Sequence, residues 1–309
     1  MLHEQNSVYI IAVSGGVDSV VLLDMLMKSR LPNFPTIEHA QYVVAHANHG
    51  MRETASRDHD FVNQIAESYG IKFESTALNL GRDASEEEAR NARYAFLEKV
   101  AEKYHTSHIV IAHHADDVVE TAVMNILRGT GRAGLSSLRS RQFRVRPLLS
   151  LKKADIRKYA EDNKLKWVED ETNDDNSYLR NHVRNNILSK ATPDWHEKFA
   201  TELQKNTKNN DLLDSNIANV LQYRFSSKAV LKRTWFVRLD HLLACEIMRA
   251  AILKVGAKNI SKECIERLVI ALKVARPGSY IDIDGKIVAY VTKRSLRFID
   301  RETKKTLSV

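Results

Sequence analysis

A chain of 309 residues is long for one compact core, so its length favours one large domain followed by a smaller one. Hydrophobic residues make up 43% of the chain, and no stretch approaches the run of about 20 apolar residues that a membrane span requires, so we expect no membrane partner. The formal net charge of +8 favours a polyanionic partner, although many basic proteins bind none.

The cysteine content and the first residues bear on the compartment. Cys245 and Cys264 are far apart and form no C-x-x-C pair, which favours a reducing compartment and argues against a thiolate metal cluster. The first residues lack the charged segment that precedes the apolar run of a secretory signal. We therefore expect a cytoplasmic protein.

Apolar runs rich in β-branched residues alternate with helical periodicity through the first 150 residues. The predicted strands are 8–13, 42–45, 73–78, 108–112 and 145–149, and the predicted helices are 19–29, 53–69, 84–104 and 115–128. Ser85 and Glu88 form a capping box at the start of the third helix. This alternation predicts an α/β fold: a Rossmann-like parallel sheet with helices on both faces and a ligand crevice at the carboxyl ends of the strands.

The alternation stops near residue 190. A long helix with a polar face is predicted next, then helices over 241–254 and 261–273, and finally a β-hairpin around Asp284-Gly285. We place a domain boundary near residue 195, which predicts an α/β domain over 1–194 and a mainly helical region ending in a hairpin over 195–309.

The stretch "AVSGGVDS", Ala12 to Ser19, connects the first predicted strand to the first helix. Paired glycines there would aim several backbone N–H groups and the positive end of a helix at one point, which suits a phosphate. No lysine follows the glycines, so this is not a Walker loop, and Asp18 is then a candidate ligand for Mg²⁺ bound to the phosphates. The structural alternative is an ordinary turn in which Asp18 or Ser19 caps the helix.

A basic segment runs from Arg128 to Lys158, with ten Lys or Arg residues and one acid, Asp155. It is either a solvated face or a surface that binds phosphates. Its "GTGRAG" matches the dinucleotide pattern G-x-G-x-x-G, but these glycines follow a helix and not a strand. We expect them to end that helix and begin a flexible basic loop, with Arg128 and Arg132 available to phosphates.

The stretch "HHADDVVET" places His113, Asp117 and Glu120 at i, i+4 and i+7, which on a helix is one stripe. Such a stripe admits a zinc site, but carboxylate oxygens beside nucleotide phosphates suit Mg²⁺ better. Helix caps and solvated charges are the structural alternative.

Three further groups of polar residues have both a structural and a functional explanation. His46, Asn48 and His49 follow the second strand, either as an ordinary polar loop or as a wall of the crevice. Arg90 and Arg93 suit surface ion pairs or contacts to substrate and phosphate. Arg180 and Arg184, at i and i+4, would contact phosphate or pair with the acidic run 169–175.

Several of these stretches resemble known families. "SGGVDS" resembles the S-G-G-x-D-S loop of enzymes that adenylate a carbonyl oxygen and release pyrophosphate. "HANHGMR", "EEARNARYAFL", "AHHADDVVETAVMNILRGTGRAGLSSL" and "RPLL" followed by "WVEDETNDDNSYLRNHVRNNI" resemble, in order, segments of the tRNA(Ile)-lysidine synthetases. The resemblance covers about residues 8 to 190; Met51 departs from the usual Leu, and Glu171-Thr172 from the common Pro-Ser.

The resemblance implies a PP-loop enzyme that uses ATP and Mg²⁺ to join free L-lysine to C2 of the wobble cytidine in tRNA(Ile) with a CAU anticodon, through an adenylated cytidine. It implies a tRNA-contacting role for residues 195–309. The alternatives are a thiolating relative, which the lack of paired cysteines disfavours, and a catalytically silent RNA-binding relative.

The resemblance also implies roles for individual residues. The catalytic residues would be Asp18, His113, Asp117 and Arg184, of which Asp18 and Asp117 also hold Mg²⁺. The implied ATP-binding residues are Ser14, Gly15, Gly16, Val17, Asp18, Ser19 and His46. Candidates for lysine or tRNA contact are Asn48, His49, Arg52, Arg90, Arg93, Glu120, Arg128, Arg132 and Arg180, with Glu120 facing the lysine amines.

Overall fold

A computed structural model of the protein describes residues 7–31, 40–48, 55–78, 85–140, 144–169, 179–257 and 260–308. The chain divides into two compact units, Met1–Thr207 and Lys208–Val309. The division lies inside a long helix, α8 (Pro193–Arg224), and therefore later in the chain than the predicted boundary near residue 195.

The first unit alternates strands and helices as the sequence predicts. Its strands are β1 (Val8–Ala12), β2 (Gln41–Asn48), β3 (Lys72–Ala77), β4 (His108–Val110) and β5 (Arg144–Val145). Its helices are α1 (Val17–Met27), α2 (Ala55–Ser68), α3 (Glu86–Lys103), α4 (Ala115–Leu127), α5 (Arg132–Leu135), α6 (Lys153–Asp162) and α7 (Leu179–His182), and a π-helical turn follows over Val183–Ile187. The predicted capping box of Ser85 and Glu88 is present at the start of α3.

The strands form one parallel sheet in the order β3-β2-β1-β4-β5. Successive side chains of β1 alternate between two cores, because neighbouring residues of a strand point to opposite faces. Tyr9 and Ile11 pack with residues of α1, α2 and α6, whereas Ile10 packs with residues of α3. Helices therefore cover both faces, which confirms the predicted Rossmann-like class and places the ends of β1, β2 and β4 at one edge.

Two local predictions in this unit differ from the structure. The fifth strand, predicted over 145–149, has only two residues, because Pro147 cannot donate to the ladder and opens a 3₁₀ turn over Pro147–Ser150. The glycines of "GTGRAG" do end α4, with Gly129 at a φ of +67°, but the following residues form the short helix α5 and not a loop.

The second unit contains β6 (Phe225–Ser226), β7 (Val230–Lys232), α9 (Arg233–Phe236), α10 (His241–Lys254), α11 (Lys262–Val274), β8 (Tyr280–Asp282), β9 (Ile287–Val291) and β10 (Ser295–Asp300). The predicted hairpin around Asp284-Gly285 joins β8 and β9, within an antiparallel sheet of order β6-β7-β10-β9-β8. None of the described helices is both long and apolar enough to cross a membrane.

Candidate active site

The glycine loop between β1 and α1 is built around Ser19. Its hydroxyl accepts hydrogen bonds from the backbone N–H groups of Ser14 (3.1 Å) and Gly15 (3.2 Å) and donates one to the carbonyl of Gly16 (2.9 Å). Gly15 has a φ of +96°, a conformation that a residue with a Cβ adopts only with strain. α1 begins at Val17, so the unpaired N–H groups of its first turn and its positive end lie at this loop, as an anion site requires.

Asp18, in the first turn of α1, is held by a lysine from another helix. Both carboxylate oxygens of Asp18 lie 2.6 Å from Nζ of Lys153, the first residue of α6. The backbone N–H of Lys153 also donates to Asp116 (2.7 Å), which ties the start of α6 to the start of α4. No lysine follows the glycines in sequence, but Lys153 brings an ammonium group to the loop from the basic segment.

Asp18 and Asp117 both face one buried imidazole, that of His114. Nε2 of His114 lies 3.8 Å from Oδ2 of Asp18 and 3.5 Å from Oδ2 of Asp117, while Nδ1 lies 3.5 Å from Asp116. Burial opposes a charge on this ring, but the surrounding carboxylates outweigh burial and raise the pKa of His114. Burial would likewise raise the pKa of Asp117, yet His114 and the other nearby cationic groups lower it below its ordinary value.

This pair of carboxylates fits a magnesium ion shared with phosphate oxygens. Asp18 and Asp117 supply hard oxygen donors that converge on one histidine ring next to the glycine loop. Among the described residues, no three His, Cys, Asp or Glu side chains are grouped as a metal site by themselves. The zinc alternative therefore gains no support from the geometry of this region.

His113 does not lie on the helical stripe that the sequence suggests. α4 begins at Ala115 and His114 is its N-cap, so His113 precedes the helix. Of the three residues, Asp117 and Glu120 are the two that share a face of α4. Nδ1 of His113 accepts a hydrogen bond from Nε of Arg146 at 2.9 Å. Burial lowers the pKa of His113 well below its ordinary value, Asp117 opposes that shift, and Arg146 adds to it.

Arg180 and Arg184 pair with carboxylates of α4. Arg184 makes a two-pronged contact with the buried Glu120, at 2.7 Å and 3.0 Å, and Nη1 of Arg180 lies 3.7 Å from Asp117. The two arginines, four residues apart, thus pair with Asp117 and Glu120, which are three residues apart on α4. The sequence left phosphate or the acidic run 169–175 as partners; Glu169 instead pairs with Arg157 and Trp167, and residues 170–175 lie outside the described residues.

His46 supports the glycine loop from the end of β2. Its Nδ1 hydrogen-bonds the carbonyl of Val13 at 2.8 Å, so this nitrogen carries the proton and Nε2 is an acceptor. Nε2 is buried without a hydrogen-bond partner in the described structure, and burial lowers the pKa of the ring. Asn48 ends the same strand, whereas His49 and Arg52 lie outside the described residues.

The remaining predicted arginines are spread over several elements. Arg90, on α3, donates to the hydroxyl of Tyr94 and lies 5.0 Å from the centre of its ring, and Arg93 lies on the same helix. Arg128 is the exposed C-cap of α4, and Arg132 begins α5.

Sequence analysis missed three residues that shape the site: His114, Arg146 and Lys153. His114 is not among the predicted residues, because the stripe of His113, Asp117 and Glu120 assumes helical geometry from two residues before Ala115, where α4 begins. Lys153 and Arg146 were counted only as part of the basic segment. An acid at the third position of a helix is a helix-start signal, and Asp155 stands at that position when Lys152 is the N-cap and Lys153 the first residue.

Comparison with known proteins places this geometry in a family context. A family model described as the PP-loop domain matches residues 2–191. A tRNA(Ile)-lysidine synthase of Thermotoga maritima is 38% identical over 195 residues, which cover 61% of this chain and 46% of the relative. A tRNA(Ile)-lysidine synthase of Clostridium acetobutylicum is 30% identical over 306 residues, which cover 93% of this chain and 65% of the relative.

Longer relatives and a solved structure extend the comparison. A bifunctional protein TilS/HprT of Listeria monocytogenes is 30% identical over 94% of this chain and 47% of its own length. The chain thus spans from about half to just under two thirds of these curated relatives. The U34-tRNA thiolase NcsA of Methanococcus maripaludis, with its [4Fe-4S] cluster, has the same fold, with a TM-score of 0.53 and 20% identity over 67% of this chain and 73% of that one.

Proposed function

Because this chain belongs to the PP-loop domain family, we propose that it adenylates the wobble cytidine of tRNA(Ile) with a CAU anticodon and then joins free L-lysine to C2 of that base. The relatives named tRNA(Ile)-lysidine synthase support this substrate assignment. The observation that carries the chemistry is the convergence of Asp18 and Asp117 on one histidine beside the glycine loop. ATP and tRNA occur together in the cytoplasm, which is the location we propose.

In the first step, the cytidine O2 attacks the α-phosphorus of ATP and pyrophosphate leaves. The N–H groups at the start of α1 would hold the phosphates, and Asp18 and Asp117 would hold Mg²⁺, which when bound offsets phosphate charge. Positioning and charge neutralisation provide most of the rate in phosphoryl chemistry. Arg184, whose pKa is raised by its hydrogen bonds to Glu120, is a permanent cation for that purpose.

In the second step, the ε-amine of lysine attacks C2 and AMP leaves with the O2 oxygen. The amine attacks only when it has lost its proton, whereas free lysine is mainly protonated at neutral pH. We propose that the buried carboxylate of Glu120 binds the amino groups of lysine, but in this structure that carboxylate is paired with Arg184. We therefore propose that phosphate draws Arg184 away and leaves Glu120 available to lysine.

The direct test measures pyrophosphate and AMP with the full chain, Mg²⁺, ATP and an unmodified tRNA(Ile) transcript bearing CAU. We expect pyrophosphate release to require the tRNA, and lysidine to form only when lysine is added. Asp117→Asn should reduce both by at least about 100-fold, because the amide keeps the shape but loses the charge. A transcript with another anticodon is the matched control.

The alternative activities give different results in the same assay. A silent RNA-binding relative would bind the transcript without releasing pyrophosphate. A thiolating relative would consume ATP and tRNA but incorporate sulfur in place of lysine. Either result would refute the proposed ligation.

A further inference from the structure

Arg146 is a buried cation that contacts the crevice through a histidine. Only 6% of this residue is exposed. Its Nη1 donates to the main-chain carbonyls of Arg139 and Arg144, and its Nε donates to Nδ1 of His113 at 2.9 Å. This guanidinium is therefore held by main-chain acceptors on one side and directed at an imidazole on the other.

The contact between Arg146 and His113 determines which ring nitrogen carries a proton. A guanidinium only donates hydrogen bonds, so Nδ1 of His113 must be the unprotonated acceptor. A neutral imidazole has one N–H group, which must then be at Nε2. We propose that Arg146 is a positioning residue that fixes His113 in the Nε2–H form, so that His113 donates a hydrogen bond to a reacting oxygen and transfers no proton.

The main chain holds Arg146 in one orientation. The hydroxyl of Ser140 accepts from the N–H of Arg146 at 2.8 Å and donates to its carbonyl at 3.3 Å. Arg146 directly follows β5, which pairs with β4, and His113 lies three residues after the end of β4. Both partners are thus fixed to adjacent strands, so the hydrogen bond between them is set by the sheet.

The charge balance around His113 supports the neutral form. Burial lowers the pKa of its ring, Asp117 opposes that shift, and the positive charges of Arg146, Arg90 and Arg180 add to it. His114, the neighbouring residue, has a raised pKa because carboxylates surround it. The two adjacent histidines therefore have different tasks: His114 balances carboxylate charge, and His113 offers a neutral N–H donor.

A fixed N–H donor suits an oxygen on which negative charge develops. Such donors act most strongly when they are already oriented, because no reorganisation is needed during the reaction. His113 follows β4, next to the strand that carries the glycine loop, so the oxygen would belong to the α-phosphate of ATP during adenylation. This step rests on the proposed function; the tautomer itself does not.

The tautomer is tested on the full chain without substrate. Histidine labelled with ¹⁵N in the ring gives two-bond correlations that distinguish protonated from unprotonated nitrogens, and comparison with His113→Gln assigns the signal. We expect an unprotonated Nδ1 and a protonated Nε2 at neutral pH. A protonated Nδ1, or an imidazolium, would overturn the proposal.

Variants at Arg146 test whether that residue is the cause. In Arg146→Met the proton of His113 should exchange between Nδ1 and Nε2, so the ring nitrogens should give averaged signals. Arg146→Lys keeps a donor and should preserve the Nε2–H form. Arg144→Met is the matched control, because it removes a neighbouring guanidinium that bonds Glu98 and not His113. If Arg146→Met fails to fold, an unchanged tautomer in Arg146→Lys supports the proposal and a changed one contradicts it.

Kinetics distinguish a hydrogen-bond donor from a proton-transfer group. His113→Ala should lower the rate of pyrophosphate release by about 100-fold. The amide of His113→Gln retains a donor, so this variant should be about tenfold faster than His113→Ala. Arg146→Met should lower the rate with a change in the ATP Kd of less than about threefold. Equal losses in His113→Ala and His113→Gln would identify proton transfer and refute the donor role.

These experiments separate the inference from the proposed function. An Nε2–H tautomer that depends on Arg146, in a protein that makes no lysidine, would refute the function and leave the positioning role intact. Lysidine formation in a protein whose His113 carries its proton on Nδ1 would support the proposed function and refute the positioning role of Arg146.

Discussion

At the scale of single residues, the site balances three carboxylates with cations from several elements. Asp18 forms an ion pair with Lys153, Asp117 with His114 and Arg180, and Glu120 with Arg184. Buried or half-buried carboxylates are costly unless they are paired, because protein surroundings solvate charge less well than water. On the proposed function, phosphates and Mg²⁺ would enter a site whose charges are already matched, and we expect them to bind by exchanging partners.

Lys153 is the most direct test of that exchange. In Lys153→Met, both oxygens of Asp18 lose the ammonium that now occupies them, so Mn²⁺, used as a probe for Mg²⁺, should bind more tightly without nucleotide, by about tenfold. ATP should bind more weakly, because a positive charge near the phosphates is lost. Electron paramagnetic resonance of free Mn²⁺ measures the first effect, and Lys153→Arg, which keeps the charge, should resemble the native protein in both.

Gly15 is needed for its backbone conformation, because a Cβ there would have ordinary contact distances to its neighbours but a strained backbone. A Cβ at this position would lie 3.4 Å from Cγ2 of Val62 on a backbone with a φ of +96°. Gly15→Ala should therefore destabilise the chain by about 1–3 kcal/mol and weaken ATP binding. Thermal unfolding and ATP titration check this, and Gly70→Ala, also at positive φ but with no atom within 4 Å, separates the effect of the loop from that of strain alone.

At the scale of elements, helices α1, α2 and α6 are joined by one buried carboxylate. Asp24 on α1 is 1% exposed and accepts hydrogen bonds from the hydroxyls of Tyr69 (2.5 Å) and Tyr159 (2.8 Å), with Lys28 at 2.8 Å. Tyr159 lies on α6, the helix that begins with Lys153. This network therefore holds together the two helices whose first residues meet at the glycine loop.

Asp24 also predicts a pH dependence of stability. Burial would raise the pKa of Asp24, but the bonds from Lys28 and the two tyrosines outweigh it and lower the pKa below the ordinary carboxyl value. A lowered folded-state pKa contributes stability above the unfolded pKa and loses it as the pH falls through the folded one. Asp24→Asn should thus lower the Tm clearly at pH 7 and much less near pH 3.

The control for Asp24→Asn is Asp60→Asn, an exposed acid on α2 whose side chain is 71% accessible. It should leave the Tm nearly unchanged at both pH values. Equal effects of Asp24→Asn at pH 7 and near pH 3 would mean that the carboxylate charge contributes nothing to stability.

At the scale of the whole molecule, the excess of positive charge predicts salt-dependent binding of RNA. Each phosphate neutralised by Lys or Arg releases condensed counterions, so affinity falls as salt rises. Arg128, exposed at the end of α4, lies in the most basic segment of the sequence. Arg128→Gln should weaken tRNA binding severalfold and make its salt dependence shallower.

Lys99→Gln on α3 is the matched control for Arg128→Gln, since it removes an exposed cation of the same unit outside the basic segment. Filter binding of the tRNA transcript at several salt concentrations measures both variants. Equal losses of affinity in the two would show that net charge alone, and not the basic segment, governs binding.

The sequence by itself determined the first unit in outline. Apolar runs with period two, helix caps and the glycine pair gave the order of β1 to β4 and α1 to α4, because these signals act over a few residues. It also predicted Asp18, Asp117 and the two arginines of "RNHVR" as site residues, and each of these side chains forms an ion pair with His114 or with a carboxylate of α4. The strands β6 and β7, of two and three residues, carry too short a pattern to be recognised.

Only the tertiary structure decided which charges meet. Lys153 reaches Asp18 from 135 positions away, Arg146 reaches His113 across 33, and Arg184 reaches Glu120 across 64. Periodicity reports neighbours within an element and has no information about pairs that a parallel sheet brings to one edge. The sequence thus determined where the glycine loop between β1 and α1 lies, and the pairing of β5 with β4 and the packing of α6 on α1 decided which groups meet His113 and Asp18.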